Sequence, residues 1–175
     1  MNVAKPLKLY TVEEFEQLEK NEHLTYELID GVVMMSPRPA KKHQDISGNL
    51  YFEMRNALKN TPCKPLLEVD LALKHDVLVP DLMVLCNDTM EGTRQTTPPL
   101  IVVEIVSPSS TSRDYMLKRL KYQQLGIQEY WIVSPDDKCV WVIHYAQGVE
   151  QHYCDGMVQS AVLPELAVNL EQIFV

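Results

Sequence analysis

A mixed α/β fold, with a central sheet flanked by helices, is what the sequence predicts, and three observations carry that expectation. Ile46, Leu50, Met54, Ala57 and Leu58 recur at three and four residues, the stripe of an amphipathic helix. Val77–Leu85 and Leu100–Val106 are short, almost wholly apolar runs, as in strands covered on both faces. Asp30-Gly31 and Asp155-Gly156 are hairpin turn signals, one near each end of the chain.

In chain order, Thr11-Val-Glu-Glu14 fits a capping box, so a first helix begins at Thr11 with Phe15 and Leu18 on its apolar side. Tyr26–Ser36 reads as two short strands turning at Asp30-Gly31, ended by Pro37 and Pro39. A second helix covers about His43 to Lys59, and Pro62 and Pro65 break the chain after it. Strands are expected at about Leu66–Leu73, Val77–Leu85 and Leu100–Val106, with Asn87–Pro99 an exposed, mobile loop. Ser107–Ser112 is rich in capping side chains, and a third helix runs from there to about Leu125, closed by Gly126. Tyr130–Val133 and Cys139–Tyr145 are strands, a last hairpin closes around Asp155-Gly156, and Leu163–Val175 forms a short amphipathic cover.

The 175 residues suit one domain spanning 1–175, and 46 % hydrophobic content supplies one core. Met1–Tyr10 has two lysines and no apolar stretch, unlike a secretory leader, and no apolar run approaches membrane-spanning length. The four cysteines, Cys63, Cys86, Cys139 and Cys154, show no C-x-x-C pair or metal-like spacing. They read as free thiols in a reducing cytoplasm. A formal charge of −8 argues against a broad phosphate-binding coat but leaves room for a local basic patch. Six glycines form no phosphate loop, and no zinc or nucleophile-triad pattern is visible, which argues against kinase, dinucleotide-enzyme and serine-hydrolase classes.

Two acids stand out. Asp81 interrupts Val77–Leu85, next to a proline that implies a bulge or edge, and Glu104 interrupts Leu100–Val106. A buried carboxylate needs a cation or hydrogen bonds. Two of them on adjacent strands are the oxygen ligands a hard divalent ion takes, and pairing with arginine or lysine is the plainer alternative. Asp114, Lys118 and Tyr122 are four residues apart and share a helix face. An ammonium there could orient a metal-bound water or stabilise a phosphoryl transition state, or it could simply pair with Asp114.

Pro80-Asp81 followed by Glu104-x-Val106 resembles the PD-(D/E)XK nuclease superfamily. Tyr26–Gly31, Ser36-Pro37, His43-Gln44, Glu104–Pro108, Arg113-Asp114 with Lys118 and Tyr122, and Glu129-Tyr-Trp131 resemble one branch of it, the Uma family of bacterial restriction-endonuclease-like proteins. The resemblance covers nearly the whole chain. It implies a restriction-endonuclease-like three-layer fold and hydrolysis of phosphodiester bonds in DNA. It also implies Mg²⁺ (or Mn²⁺) held by Asp81, Glu104 and the carbonyl of Ile105. Val106 stands where the superfamily has its lysine, and Lys118 is the natural substitute. Glu27 resembles the branch's early acid, which would complete a metal shell, and His43 a water-orienting or phosphate-contacting group. Their bland readings are a strand-surface acid and a capping histidine.

The resemblance and the residues leave two functions open: a metal-dependent DNA endonuclease, or a binding or regulatory module that kept the fold and lost the chemistry. Arg38, Lys41, Lys42, Arg113, Arg119 and Lys121 are the basic residues available to dock DNA. A homodimer is expected by analogy with enzymes that cut both strands.

Overall fold

The computed structural model describes residues 8–87, 90, 92–106 and 112–175, with the backbone alone at 112–114. Helix α1 (Val12–Glu16) starts with the predicted capping box: Glu14 N–H donates to Thr11 Oγ1 at 3.2 Å, and Thr11 N–H donates to Glu14 Oε2 at 3.0 Å. Strands β1 (Leu24–Ile29) and β2 (Val32–Pro37) pair antiparallel. Asp30 and Gly31 between them both have positive φ, 51° and 77°, the conformation a two-residue hairpin turn demands. Helix α2 (Lys41–Ala57) begins two residues before the predicted start and buries Ile46, Leu50 and Met54, the stripe read from the sequence.

The next segment departs from expectation. Leu66–Leu73 and Val77–Leu85 are each split, giving β3 (Cys63–Leu67), β4 (Asp70–Leu73), β5 (Asp76–Leu78) and β6 (Leu82–Cys86). Together they make one long hairpin, bent in the middle. Its inner halves, β3 and β6, pair antiparallel, and so do its outer halves, β4 and β5. Glu68 takes a positive φ of 47° at the bend and its N–H donates to the Asp81 carbonyl. Asp81 therefore lies in the break between two strands, not in the middle of one; Pro80, with no N–H to donate, marks the break.

The bend divides the hairpin between two sheets. One has the order β2-β1-β5-β4-β7, where β7 (Arg94–Gln95) lies inside the segment expected to be an exposed loop and pairs parallel with β4. Gln95 is buried. The larger sheet has the order β11-β10-β9-β8-β6-β3, with β8 (Ile101–Ile105), β9 (Glu129–Ser134), β10 (Cys139–His144) and β11 (Val149–Tyr153). Pro65 sits in β3, the edge strand, where a missing ladder donor is tolerated.

Both faces of the larger sheet are covered. Leu82, Val84, Ile101, Val103, Trp131, Val140 and Val142 face α2 and the C-terminal segment; Met83, Leu85, Val102, Tyr130 and Ile143 face helix α3 (Ser112–Gln124) and the smaller sheet. This double burial is why the strands read as continuous apolar runs. The capping stretch Ser107–Ser112 lies largely outside the described residues. Asp155-Gly156 does not close a hairpin: β11 pairs with β10, while β12 (Met157–Gln159) pairs with β13 (Ala167–Asn169). The tail is a cover as expected, through Leu166, Val168 and helix α4 (Leu170–Ile173).

The free-thiol expectation is overturned. Cys63 and Cys86 are register partners on β3 and β6 and form a disulfide, and Cys139 is bridged to Cys154 at the end of β11. Spacing along the chain could not reveal pairs created by strand register. No helix among the described residues is long and apolar enough to cross a membrane.

Glu129 is fully buried, and its carboxylate accepts hydrogen bonds from Trp131 Nε1 at 2.6 Å, Ala161 N–H at 2.7 Å and Val162 N–H at 3.2 Å. It ties the C-terminal segment to β9. Replacing Glu129 by Ala removes the acceptor of three donors, the Trp131 indole among them fully buried, and should cost about 2–4 kcal/mol. The expected result is a lower urea midpoint with an unchanged slope, measured by circular dichroism.

Candidate active site

The break at Pro80-Asp81 places Asp81 directly before β6, in line with Glu104 on β8, since Leu82 is the partner of Val103. Alternation puts Glu104 on the face of Val102, toward α3. Helix α3 brings Lys118 and Tyr122 over the same spot, one turn apart. The smaller sheet contributes Glu27 from β1, and the first turn of α2 contributes His43. Thus Glu27, His43, Asp81, Glu104, Ile105 and Lys118 are brought together.

Lys118 Nζ lies 2.9 Å from Glu104 Oε1 and 3.0 Å from Glu27 Oε1. Glu27 Oε1 also accepts the Val79 N–H at 2.9 Å. The Tyr122 hydroxyl donates to Glu104 Oε1. Asp81 Oδ2 accepts the Ile105 N–H at 2.6 Å and lies 3.2 Å from His43 Nε2. The five charged or titratable side chains other than Tyr122 are between 11 and 18 % exposed. Val106 continues β8, its N–H bonded to the Val133 carbonyl, and supplies no polar side chain.

Electrostatically, one ammonium faces three acids. Burial pushes the Glu104 carboxyl up to about 7, against the pull of Lys118 and with the help of Asp81 and Glu27. Burial works against the charge of Lys118, yet Glu104 and Glu27 outweigh it and hold the ammonium well above its ordinary value. The two shifts favour opposite outcomes for the same pair and are reconciled by the count of charges: the lysine has two acids to hold it, and the surplus negative charge falls on Glu104. For His43, burial is outweighed by the hydrogen bond and charge of Asp81, by hydrogen bonding to the Ile105 backbone and by Glu104, so the imidazolium is favoured. Burial, then Glu104 and Glu27, keep Tyr122 protonated and able to donate.

The donor set fits a hard cation. Asp81 Oδ1 and Glu104 Oε2 receive no hydrogen bond from a described residue, so each acid keeps one oxygen for such an ion. Glu27 is committed to Lys118 and Val79 through Oε1, and serves the site as that lysine's anchor.

The docking residues fare differently. Lys121 is 5 % exposed and paired with Asp76 at 3.1 Å and with Asp30, so it belongs to the interior and cannot contact DNA. Lys41 and Lys42 flank His43 on the surface, paired with Asp45 and Asp136 at 2.7 and 2.8 Å. Arg38 donates to the Glu22 carbonyl, and Arg119 pairs with Glu150. The side chains of Arg113 and Asp114 lie outside the described residues. Local patterning carries no signal that Tyr122 holds Glu104 or that Glu27 holds Lys118, because both contacts depend on how separate elements pack together.

A family model described as "Uma2: Putative restriction endonuclease" matches residues 12–171. The chain belongs to the Uma2 family. A relative, the uncharacterized protein slr1290 of Synechocystis sp. (strain ATCC 27184 / PCC 6803 / Kazusa), is 28 % identical over 134 residues, 74 % of this chain and 70 % of that protein. The fold is also that of a putative nuclease belonging to DUF820 from Anabaena variabilis ATCC 29413. That crystal structure superposes with a TM-score of 0.82 at 23 % identity, covering 94 % of this chain and 97 % of that one. The three-layer, restriction-endonuclease-like architecture expected from the sequence is the one observed.

The raised Glu104 carboxyl has a stability consequence for this Uma2 protein. Its folded value of about 7 exceeds the ordinary 4.5, so between these pH values the native state binds more protons than the unfolded chain. The sign is therefore a loss of stability as pH rises through that window. In chelator, the wild type should lose unfolding free energy relative to Glu104→Gln between about pH 5 and pH 7.5. Denaturant titrations of both proteins at several pH values check it, and a difference that stays flat would contradict the buried-acid reading.

Proposed function

We propose that this Uma2 protein is a Mg²⁺-dependent endonuclease that hydrolyses phosphodiester bonds in DNA. The observation that carries the reading is Lys118: its ammonium, delivered by a helix, stands 2.9 Å from Glu104 even though Val106 leaves the usual strand position apolar. Asp81, Glu104 and the Ile105 carbonyl would hold the ion, with Mn²⁺ as a substitute. When bound, the ion supplies Lewis acidity at the phosphorus.

The chain's own residues do the rest. Lys118 places a compact positive charge where a phosphoryl group gains negative charge, and it can hold the attacking water. Tyr122 and Glu27 fix the lysine and its partner acid in position. Glu104 takes Lys118 and Tyr122 on Oε1, which leaves Oε2 for the ion. His43 orients Asp81 through Oδ2, leaving Oδ1 for the cation. Lys41 and Lys42, beside His43 on an open surface, suit phosphate contacts on the flanking backbone.

One observation favours the alternative, a catalytically inactive nucleic-acid-binding or regulatory module: Lys118 is held by two carboxylates at once, an arrangement that stabilises an apo protein by itself. Metal and cleavage assays separate the two readings. Mg²⁺ should raise the unfolding temperature of the wild type, and Asp81→Asn and Glu104→Gln should each abolish that rise. If the rise persists in both variants, the shared metal site is wrong.

Lys118→Ala should lower metal-dependent cleavage of plasmid DNA at least a hundredfold while Mg²⁺ still stabilises the protein, an effect of about 3 kcal/mol on the barrier. Lys118→Arg should fail as well, since a planar guanidinium does not replace an ammonium. Exposed Lys59, in the turn after α2, is the control whose alanine variant stays active. Equal trace cleavage by wild type and Lys118→Ala would favour the inactive module. Reversing Lys41 and Lys42 to Glu should weaken DNA retention and flatten its salt dependence, measured by filter binding across a salt series.

A further inference from the structure

A second cluster of ligating groups lies away from the carboxylates, on the outer hairpin of the larger sheet. Trp141 on β10 is the register partner of His152 on β11, and Cys139 and Cys154 follow one step beyond the Val140–Tyr153 pair. Alternation places Cys139, Trp141, His152 and Cys154 on one face of the hairpin. One ligand atom from each of Cys139, His152 and Cys154 falls within 4.8 Å of the others, which among the described residues is the one such group of three. His152 Nε2 lies 3.4 Å from Cys154 Sγ. A tetrahedral zinc centre with ordinary Zn–S and Zn–N bonds has an S···N edge of about 3.6 Å, so the imidazole already stands at ligand spacing. Trp141 stacks on the His152 ring, with centroids 4.4 Å apart and planes 16° apart, and fixes its orientation. His152 and Cys154 are exposed, which leaves room for a solvent ligand.

We propose that Cys139, His152 and Cys154 form a redox-controlled site for Zn²⁺ or a similar borderline-soft divalent cation, with water as the fourth ligand. In the oxidised protein the two sulfurs are joined and no site exists. A dithiol reductant gives two electrons and two protons to the bridge: the S–S bond breaks, two thiols form, and the dithiol becomes its own disulfide. The cation then displaces both thiol protons and takes the lone pair of Nε2, so the bound site carries no net charge. The hairpin is stapled in either state, by a covalent bond or by a metal. Among the described residues the Cys63–Cys86 disulfide belongs to no such group of three. This site is independent of the nuclease reading.

The test uses the full chain, reduced with a phosphine under anaerobic conditions and titrated with Co²⁺, whose thiolate charge-transfer absorption reports sulfur ligation. One equivalent should produce the absorption, and Zn²⁺ should erase it by displacement. Cys154→Ser should lose most of the intensity, and His152→Ala should keep the thiolate absorption with affinity at least about tenfold weaker. The double variant Cys63→Ser with Cys86→Ser, and Asp81→Asn, should match the wild type. The unreduced protein should show nothing. Absence of the absorption in reduced wild type, its persistence in Cys154→Ser, or its loss in the Cys63→Ser, Cys86→Ser protein overturns the proposal.

Discussion

Three carboxylates crowd together in a region that water barely reaches, two of them on a single ammonium, and the architecture around them is arranged to make that tolerable. Glu27 and Glu104 share Lys118, Asp81 leans on the Ile105 N–H and on His43, and Tyr122 adds a hydroxyl to Glu104. These partners arrive from three elements: Lys118 and Tyr122 from α3, the Ile105 N–H from β8 and His43 from α2. The smaller sheet has to lie over the end of β8 for Glu27 to reach, and α3 has to follow β8 closely for Lys118 and Tyr122 to reach. Remove any one and an acid is left in a low-dielectric setting with too little to balance it.

The bent hairpin β3–β6 is the device that assembles this geometry. A straight hairpin would keep Asp81 in a strand ladder, with its side chain fixed by its neighbours. The bend at Glu68 and at Pro80-Asp81 sends the outer half of the hairpin into the smaller sheet and brings Val79 to Glu27. The same bend frees Asp81 to turn toward Ile105. Local strain at Glu68 is small beside the burial that the two sheets gain by packing on each other.

The sequence was most legible where the signal was local. The capping box at Thr11, the turn at Asp30-Gly31, the α2 stripe and the apolar strands interrupted by Asp81 and Glu104 all follow from neighbours within a few residues. What could not be read were the consequences of register and topology. Whether Val77–Leu85 is one strand or two depends on which sheet each half joins, and the two disulfides depend on cross-strand partners 23 and 15 residues apart. Lys121 illustrates the same limit: in sequence it is one of several basic residues on a helix, yet its phase on α3 turns it inward onto Asp76 while Lys118 reaches the acids. Glu129 in Glu129-Tyr-Trp131 carried a family resemblance, and its physical role, clamping the C-terminal segment, needed the partners at Ala161 and Val162 to be seen.

Delivering the site's lysine from a helix changes how the protein tolerates changes in length. A lysine at position 106 would be held by the same strand that carries Glu104, and no insertion elsewhere could move one relative to the other. Lys118 depends on the path between β8 and α3 and on the rotational phase of the helix. Adding or removing one residue in the first turns of α3 would rotate the ammonium by about 100° and exchange it for a neighbour. The stretch of α3 ahead of Lys118 is therefore constrained in residue count by the helical phase that the site needs.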